Sequence, residues 1–194
     1  LKPSSQRTLI LLNFSNLAGS PYSTILQPTL SKLLRLRMIK TRISPCIWLD
    51  NQAEEAALFY VSIFKHSKII DKVRYGKNSP EHLHKPEGSV MSLTFVLDGV
   101  EFMAINGGPM FQVNEAVSFV VYCKTQEEID YYWDRLTEGG QEGPCGWLKD
   151  KFGVSWQVVP EALIELMRDP EKVDKVVAAF LPMKKLDIKA LMEA

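Results

Sequence analysis

From Ile43 onward the spacing of apolar and polar side chains changes in a regular way. ISPCIWLD (43–50) alternates with the period of two that suits a strand, and NQAEEAALFYVSIF (51–64) then groups its apolar residues on one helical face from Ala53 to Phe64. Strand-like stretches follow at Lys68–Tyr75, Ser89–Leu97 and Val100–Ile105, with Asp98-Gly99 between the last two as a hairpin signal. The first half is predicted to be β-α-β-β-β.

The second half repeats the pattern. AVSFVVYC (116–123) alternates like a strand, and Thr125-Gln-Glu-Glu128 forms a capping box that opens a helix running to Gly139-Gly140. A shift of 73 positions lays Glu54-Glu55 on Glu127-Glu128 and Phe59-Tyr60 on Tyr132-Trp133. Any amphipathic helix tends to begin acidic and to bury aromatics, but the match in order and spacing points to duplication. Beyond it, Pro160–Met167 is predicted helical, as is a stretch opening at Asp169-Pro170 with Asp as N-cap and Pro in the first turn. A short helix from Asp187 closes the chain.

Composition adds exclusions. With 194 residues, 46% of them hydrophobic, the chain can bury a core of its own. No apolar run approaches the roughly 20 residues a membrane-spanning helix needs, so no span is predicted. Five basic and no acidic residues precede Met38; after it, 18 basic residues face 23 acidic ones. That mildly acidic remainder does not suit a nucleic-acid partner. Residues 1–37, serine-containing and without clear period, are expected to lie outside the fold, either as sequence upstream of a native start at Met38 or as an organelle transit segment. Residues 38–194 form the expected domain. Cys46, Cys123 and Cys145 are odd in number and widely spaced, which fits a reducing compartment such as the cytoplasm, or an organelle if 1–37 is a transit segment.

Several ordered motifs resemble one family. I-x-P-C-I-W-L-D with A-E-E-A-x-x-F-Y (43–60), I-N-G-G-P-x-F (105–111), S-F-x-V-x-C (118–123), C-G-W-L-x-D-x-F-G-V-S-W-Q (145–157) and K-x-D-I (185–188) are similar to the PhnB-like branch of the vicinal oxygen chelate superfamily. That superfamily includes glyoxalase I, extradiol dioxygenases and bleomycin-resistance proteins; the branch is often labelled 3-demethylubiquinone-9 3-methyltransferase. The resemblance implies an α+β fold in which two βαβββ modules form a cupped mixed sheet, with helices outside, C-terminal helices added, a small-molecule ligand within and homodimerisation completing the site. In metal-dependent relatives His and Glu line the pocket from the first and last strand of each module. The D-x-x-G turn then puts Gln157 where Glu is expected. The other positions offer Ser44 or Cys46, Ala116 or Ser118, and Ala104 or Asn106.

Such a set of hydroxyl, thiol and amide groups does not suit a divalent cation, so no metal and no other cofactor is expected. Gln157 can instead orient a polar ligand by hydrogen bonding. His82 and His84 could chelate if they shared a strand face, but Pro80 and Pro86 mark a loop, where solvent-exposed histidines are ordinary; His66 reads as a helix-end charge partner. Strand alternation, with the more aliphatic face turned to the helices, selects Cys46, Trp48, Phe102, Ala104, Asn106, Ser118, Val120, Tyr122, Ser155 and Gln157 as inward-facing. Trp156 falls to the core, and Trp147 reads equally as a pocket wall or as edge-strand packing. Asn106-Gly-Gly-Pro109 reads as a bend rather than a phosphate loop, and Cys46 and Cys123 as small buried hydrophobes rather than nucleophiles. The expected function is a metal-free pocket protein that binds, and can transform, a small molecule. The alternatives are the methyltransferase of the label, for which neither a glycine-rich turn nor a doubly wound sheet is visible, and a binding or resistance protein without chemistry.

Overall fold

The computed structural model describes residues 43–78 and 85–194. The segment expected to precede the domain, and His82 and His84, lie outside the described residues. Two β-α-β-β-β modules follow one another. The first comprises β1 (Cys46–Leu49), α1 (Ala53–Ile63), β2 (Lys68–Arg74), β3 (Val90–Leu97) and β4 (Val100–Asn106). The second comprises β5 (Ser118–Cys123), α2 (Gln126–Thr137), β6 (Gln141–Glu142), β7 (Trp147–Lys149) and β8 (Ser155–Pro160). Each module makes a four-stranded mixed sheet, ordered β1-β4-β3-β2 and β5-β8-β7-β6. In both, the first strand pairs in parallel with the last and the other pairs are antiparallel. That arrangement follows from chain reach: a hairpin joins antiparallel neighbours directly, whereas a parallel pair needs an intervening helix and more chain.

The helix ends explain where the strands sit. The α1 N-terminus has no side-chain cap from Gln52; the Ala53 N–H is satisfied instead by Asn106 Oδ1 at 2.8 Å, from the end of β4. Thr125 caps α2 by accepting from the Glu128 N–H at 3.3 Å, and Glu128 accepts in turn from the Lys124 N–H at 2.7 Å, one residue upstream of the usual reciprocal bond. After α2, Gly139 takes the left-handed backbone at φ 73°. Three short helices finish the chain: α3 (Glu161–Leu166), α4 (Val173–Phe180) and α5 (Ile188–Met192). The helix expected to open at Asp169-Pro170 begins later, at Val173, because Asp169 caps a turn ahead of it, accepting from the Glu171 N–H at 2.9 Å.

Helices and sheets bury one core that runs through both modules. Its centre is a closed circuit of five rings, Tyr60–Phe95–Phe102–Phe119–Trp156 and back to Tyr60, with centroids 5.0 to 6.2 Å apart. Two of these contacts cross between the modules, Phe102 on β4 against Phe119 on β5 and Tyr60 on α1 against Trp156 on β8, so the sheets share aromatic packing rather than each closing a separate core. A smaller apolar group around Val176, Leu186 and Leu191 packs the C-terminal helices together. It is tied to the β6–β7 connection by the Cys145 and Gly146 N–H groups, which donate to Met183 and Lys184 carbonyls at 2.7 Å.

Asp150, in the D-x-x-G turn between β7 and β8, joins the modules. It is 3% exposed, and its Oδ2 accepts from the Tyr60 hydroxyl and from Trp156 Nε1, each at 2.8 Å. Its Oδ1 accepts from the N–H groups of Phe152 and Val154 at 2.8 and 3.0 Å. Burial pushes the Asp150 carboxyl above the usual carboxylate range, while these four hydrogen bonds pull the other way. Gly153 completes the turn at φ 81°, a conformation open to glycine at little cost.

Candidate functional site

Register decides which side chains share the face turned away from the helices. In the second sheet Ser118 pairs with Ser155, Val120 and Trp147 both pair with Gln157, and Lys149 pairs with Ser155. Directly paired residues project to the same side, so Ser118, Val120, Tyr122, Trp147, Lys149, Ser155 and Gln157 share one face. Phe119, Leu148, Trp156 and Val158 occupy the opposite face, toward α2 and the core. Trp156 is 2% exposed, as its core role requires.

In the first sheet the expectation holds for β1 and fails for β4. Ile47 and Leu49 are buried toward α1, leaving Cys46 and Trp48 on the inward face. Cys46 pairs with Met103 and Trp48 with Ile105, so Met103 and Ile105 join them there. Phe102, Ala104 and Asn106 point the other way, into the core. Phe102 is held between Phe95 and Phe119; Asn106 is 6% exposed, accepts from Ala53 N–H and donates Nδ2 to the Val90 carbonyl at 3.0 Å. The β4 sequence VEFMAIN is apolar on both faces, so alternation alone could not orient it. The two-residue hairpin turn could: it pairs Phe102 with Phe95, and Leu93, Phe95 and Leu97 face the helices while Ser92 and Thr94 do not.

Two hollows flank the second sheet. A cleft of about 780 Å³ beside β5 is lined by Ser118, Val120 and Tyr122 of that strand and, from the first module, by residues that include Leu97, Val100 and Phe102. A pocket of about 400 Å³ lies over β6 and β7 and takes in Trp147, Lys149 and Ser155. Between them Gln157 donates Nε2 to Ser118 Oγ at 2.9 Å, bridging β8 to β5. Of the residues singled out in the sequence, Ser118, Tyr122, Trp147, Ser155 and Gln157 therefore come together on one sheet. Cys46 and Trp48 lie on the other sheet, and Trp48 donates Nε1 to the Gly108 carbonyl at 2.9 Å. Gly107 makes room for that indole, since a Cβ there would stand 2.1 Å from its ring. Asn106-Gly-Gly-Pro109 thus serves as the seat of Trp48.

Sequence reasoning passed over Lys149, whose partner Ser155 lies across the D-x-x-G hairpin; the register of that turn was the available signal. Its Nζ contacts Glu115 Oε1 at 2.5 Å, which holds the Glu115 carboxyl below its usual range. Cys123 is buried as expected, but Cys46 is exposed because it sits on the face turned away from the helices; partial desolvation still pushes the Cys46 thiol up, and burial followed by Glu128 and Glu161 pushes Cys123 up to about 12, so neither of these two is activated.

A protein-bound transition-metal cation needs several thiolate, imidazole or carboxylate donors converging on one point. The inward positions of β1, β4, β5 and β8 present Cys46 and Trp48, Glu101, Met103 and Ile105, Ser118, Val120 and Tyr122, Ser155 and Gln157, and Glu101, the single carboxylate among them, accepts from Ser44 Oγ at 3.2 Å. These residues do not fit such an ion. Among the described residues no group of three or more His, Cys, Asp or Glu side chains is placed to hold a metal.

Paired βαβββ modules with parallel outer strands define the vicinal oxygen chelate fold. The chain belongs to the family described as 3-demethylubiquinone-9 3-methyltransferase, whose model matches residues 41–159. It is similar to the PhnB protein from Bacillus cereus, at 36% identity and a TM-score of 0.54, over 62% of this chain and 99% of that one. Protein PA1353 from Pseudomonas aeruginosa is similar in fold, at 19% identity and a TM-score of 0.52, over 63% of this chain and 98% of that one. The fosfomycin resistance protein FosX from Listeria monocytogenes also matches, at 14% identity and a TM-score of 0.45, over 66% of this chain and 97% of that one. Among curated proteins no match was found.

Proposed function

We propose that residues 38–194 form a metal-independent small-molecule-binding domain whose ligand lies against the inward face of the second sheet and is oriented by Gln157 and Ser118. The observation that carries this reading is the 2.9 Å bond from Gln157 Nε2 to Ser118 Oγ. It sets an amide and a hydroxyl side by side at two of the positions from which metal-dependent relatives are implied to offer ligands. With Nε2 engaged, Oε1 is left as the acceptor for a ligand donor. The methyltransferase description of the family fits less well, because each sheet has a single parallel pair, unlike the doubly wound parallel sheet and glycine-rich turn of common methyl-donor enzymes. We further read the chain as a homodimer in a reducing compartment. The free edges of β1 and β5 and the unpaired state of Cys46, Cys123 and Cys145 support this. No helix among the described residues is long and apolar enough to cross a membrane.

A thermal-shift screen of small metabolites, run in excess chelator, tests the reading. Hits are expected to persist with chelator and to vanish in Gln157→Ala, with light scattering giving twice the chain mass. Hits that disappear with chelator and return with a divalent cation would overturn it.

A further inference from the structure

The 400 Å³ pocket over β6 and β7 is lined by residues other than the Gln157–Ser118 pair, and three observations give it a chemistry. Ser155 is 2% exposed, and its Oγ is the buried side-chain polar atom that has no hydrogen-bond partner among the described residues. A buried hydroxyl costs free energy until something bonds to it, so Ser155 is a donor awaiting an acceptor. Lys149 stands directly across the strand pair, which brings its side chain and that of Ser155 up from the same face about 5 Å apart at Cβ.

Lys149 already holds a carboxylate. Glu115 reaches it from the β4–β5 connection, with the Glu115 side chain 62% exposed to solvent. An exposed ion pair of this kind contributes little to stability and is readily exchanged for another carboxylate. The other acid at the pocket, Glu142, is engaged elsewhere, accepting from Trp133 Nε1 at 3.1 Å and from Lys184 Nζ at 3.1 Å. Half-buried Trp147 and the ring of Pro144 supply the apolar walls, and the volume falls within the range of small-molecule sites.

We propose that this pocket binds a small carboxylate carrying a flat ring, with the carboxylate between Lys149 Nζ and Ser155 Oγ and the ring against Trp147. Glu115 is then an internal competitor, occupying the lysine until a ligand displaces it. The proposal rests on the reading of the second sheet's inward face as a ligand surface, but it uses none of the residues that reading relies on.

Calorimetric titration of benzoate into the full chain tests it, with benzamide as the neutral match. Benzoate is expected to saturate at one per chain and benzamide to bind at least about tenfold more weakly. Lys149→Met and Ser155→Ala should each weaken benzoate about tenfold, while Glu115→Gln, by removing the competitor, should tighten it severalfold. Ser155→Ala should leave the melting temperature unchanged or higher, because an unpartnered buried hydroxyl is removed. Lys149→Met, at a partly exposed position, keeps the test informative if Ser155→Ala folds poorly. Absence of saturable benzoate binding, equal binding of benzamide, or indifference to both substitutions would overturn the proposal. If benzoate fails while a screen hit still depends on Gln157, this pocket falls and the proposed function stands; if benzoate binding depends on Gln157 alone, the ligand sits at the other site.

Discussion

The two modules share a topology and differ in what they turn inward. The first sheet presents Cys46, Trp48, Met103 and Ile105 together with Ser92, Thr94 and Glu101, a mixed face whose polar contacts, Trp48 to Gly108 and Ser44 to Glu101, stay within their own module. The second presents Ser118, Gln157, Ser155 and Lys149, polar groups that reach across strands toward one another. Toward the helices the contrast fades: Tyr60 and Phe95 in one half and Trp133 and Trp156 in the other are all 2% exposed or less. The two modules thus have similar packing faces and different inward faces, the first mixing thiol, indole and aliphatic side chains with a few polar ones and the second concentrating donors and acceptors.

The largest effect that would break this comparison lies on a packing face. Trp156→Ala is expected to cost about 3 to 5 kcal/mol, measured by urea denaturation, since it opens the ring circuit and removes one of the four donors to buried Asp150. A change within about 0.5 kcal/mol would show that the circuit does not hold the modules together. Next comes a matched pair of amides. Asn106→Ala should lose about 1 to 3 kcal/mol, because it strands a buried Ala53 N–H and a Val90 carbonyl. Gln157→Ala should lose less than about 1 kcal/mol, its single bond being part-buried. Reversal of that order would mean the faces are exchanged. The smallest effect is a pH dependence. Asp150 binds its proton more tightly folded than unfolded, so its contribution is fully present below the unfolded value of about 3.9 and is lost as pH rises through the higher folded value. Relative to Asp150→Asn, the wild type should therefore gain stability as pH falls from neutral toward about 4, read from thermal melts. Exposed Glu115, Asp130 and Glu142, whose carboxyls are held low, pull the opposite way in both proteins and cancel in the difference.

Much of this was legible in advance. Period and turn chemistry located β2, β3, β4 and β5 and the two longer helices within about two residues, began β1 three residues early and left the short β6 and β7 unplaced, while the recurrence of the pattern disclosed the doubling. On β5 and β8 the faces were readable because serine and glutamine alternate with aromatic and aliphatic residues. On β4 they were not: Met103 and Ile105 are as apolar as Phe102 and Ala104, and Asn106 looked like a pocket residue because a buried cap for a helix in another part of the chain leaves no local mark. Lys149 escaped notice because its partner is set by hairpin register, while its own neighbours give no sign of it.

The pairing of each module's first strand with its last has a consequence during synthesis. β1 finds its partner only when Met103 to Asn106 have been made, although Cys46 to Leu49 leave the ribosome far earlier. Through that interval a short apolar strand waits with both edges open, the condition under which stray pairing between nascent chains is most favourable. The same interval recurs for β5 until Ser155 to Pro160 arrive. Slower synthesis across residues 50–102 and 124–154 is therefore expected to lower the yield of native protein without changing its stability once formed.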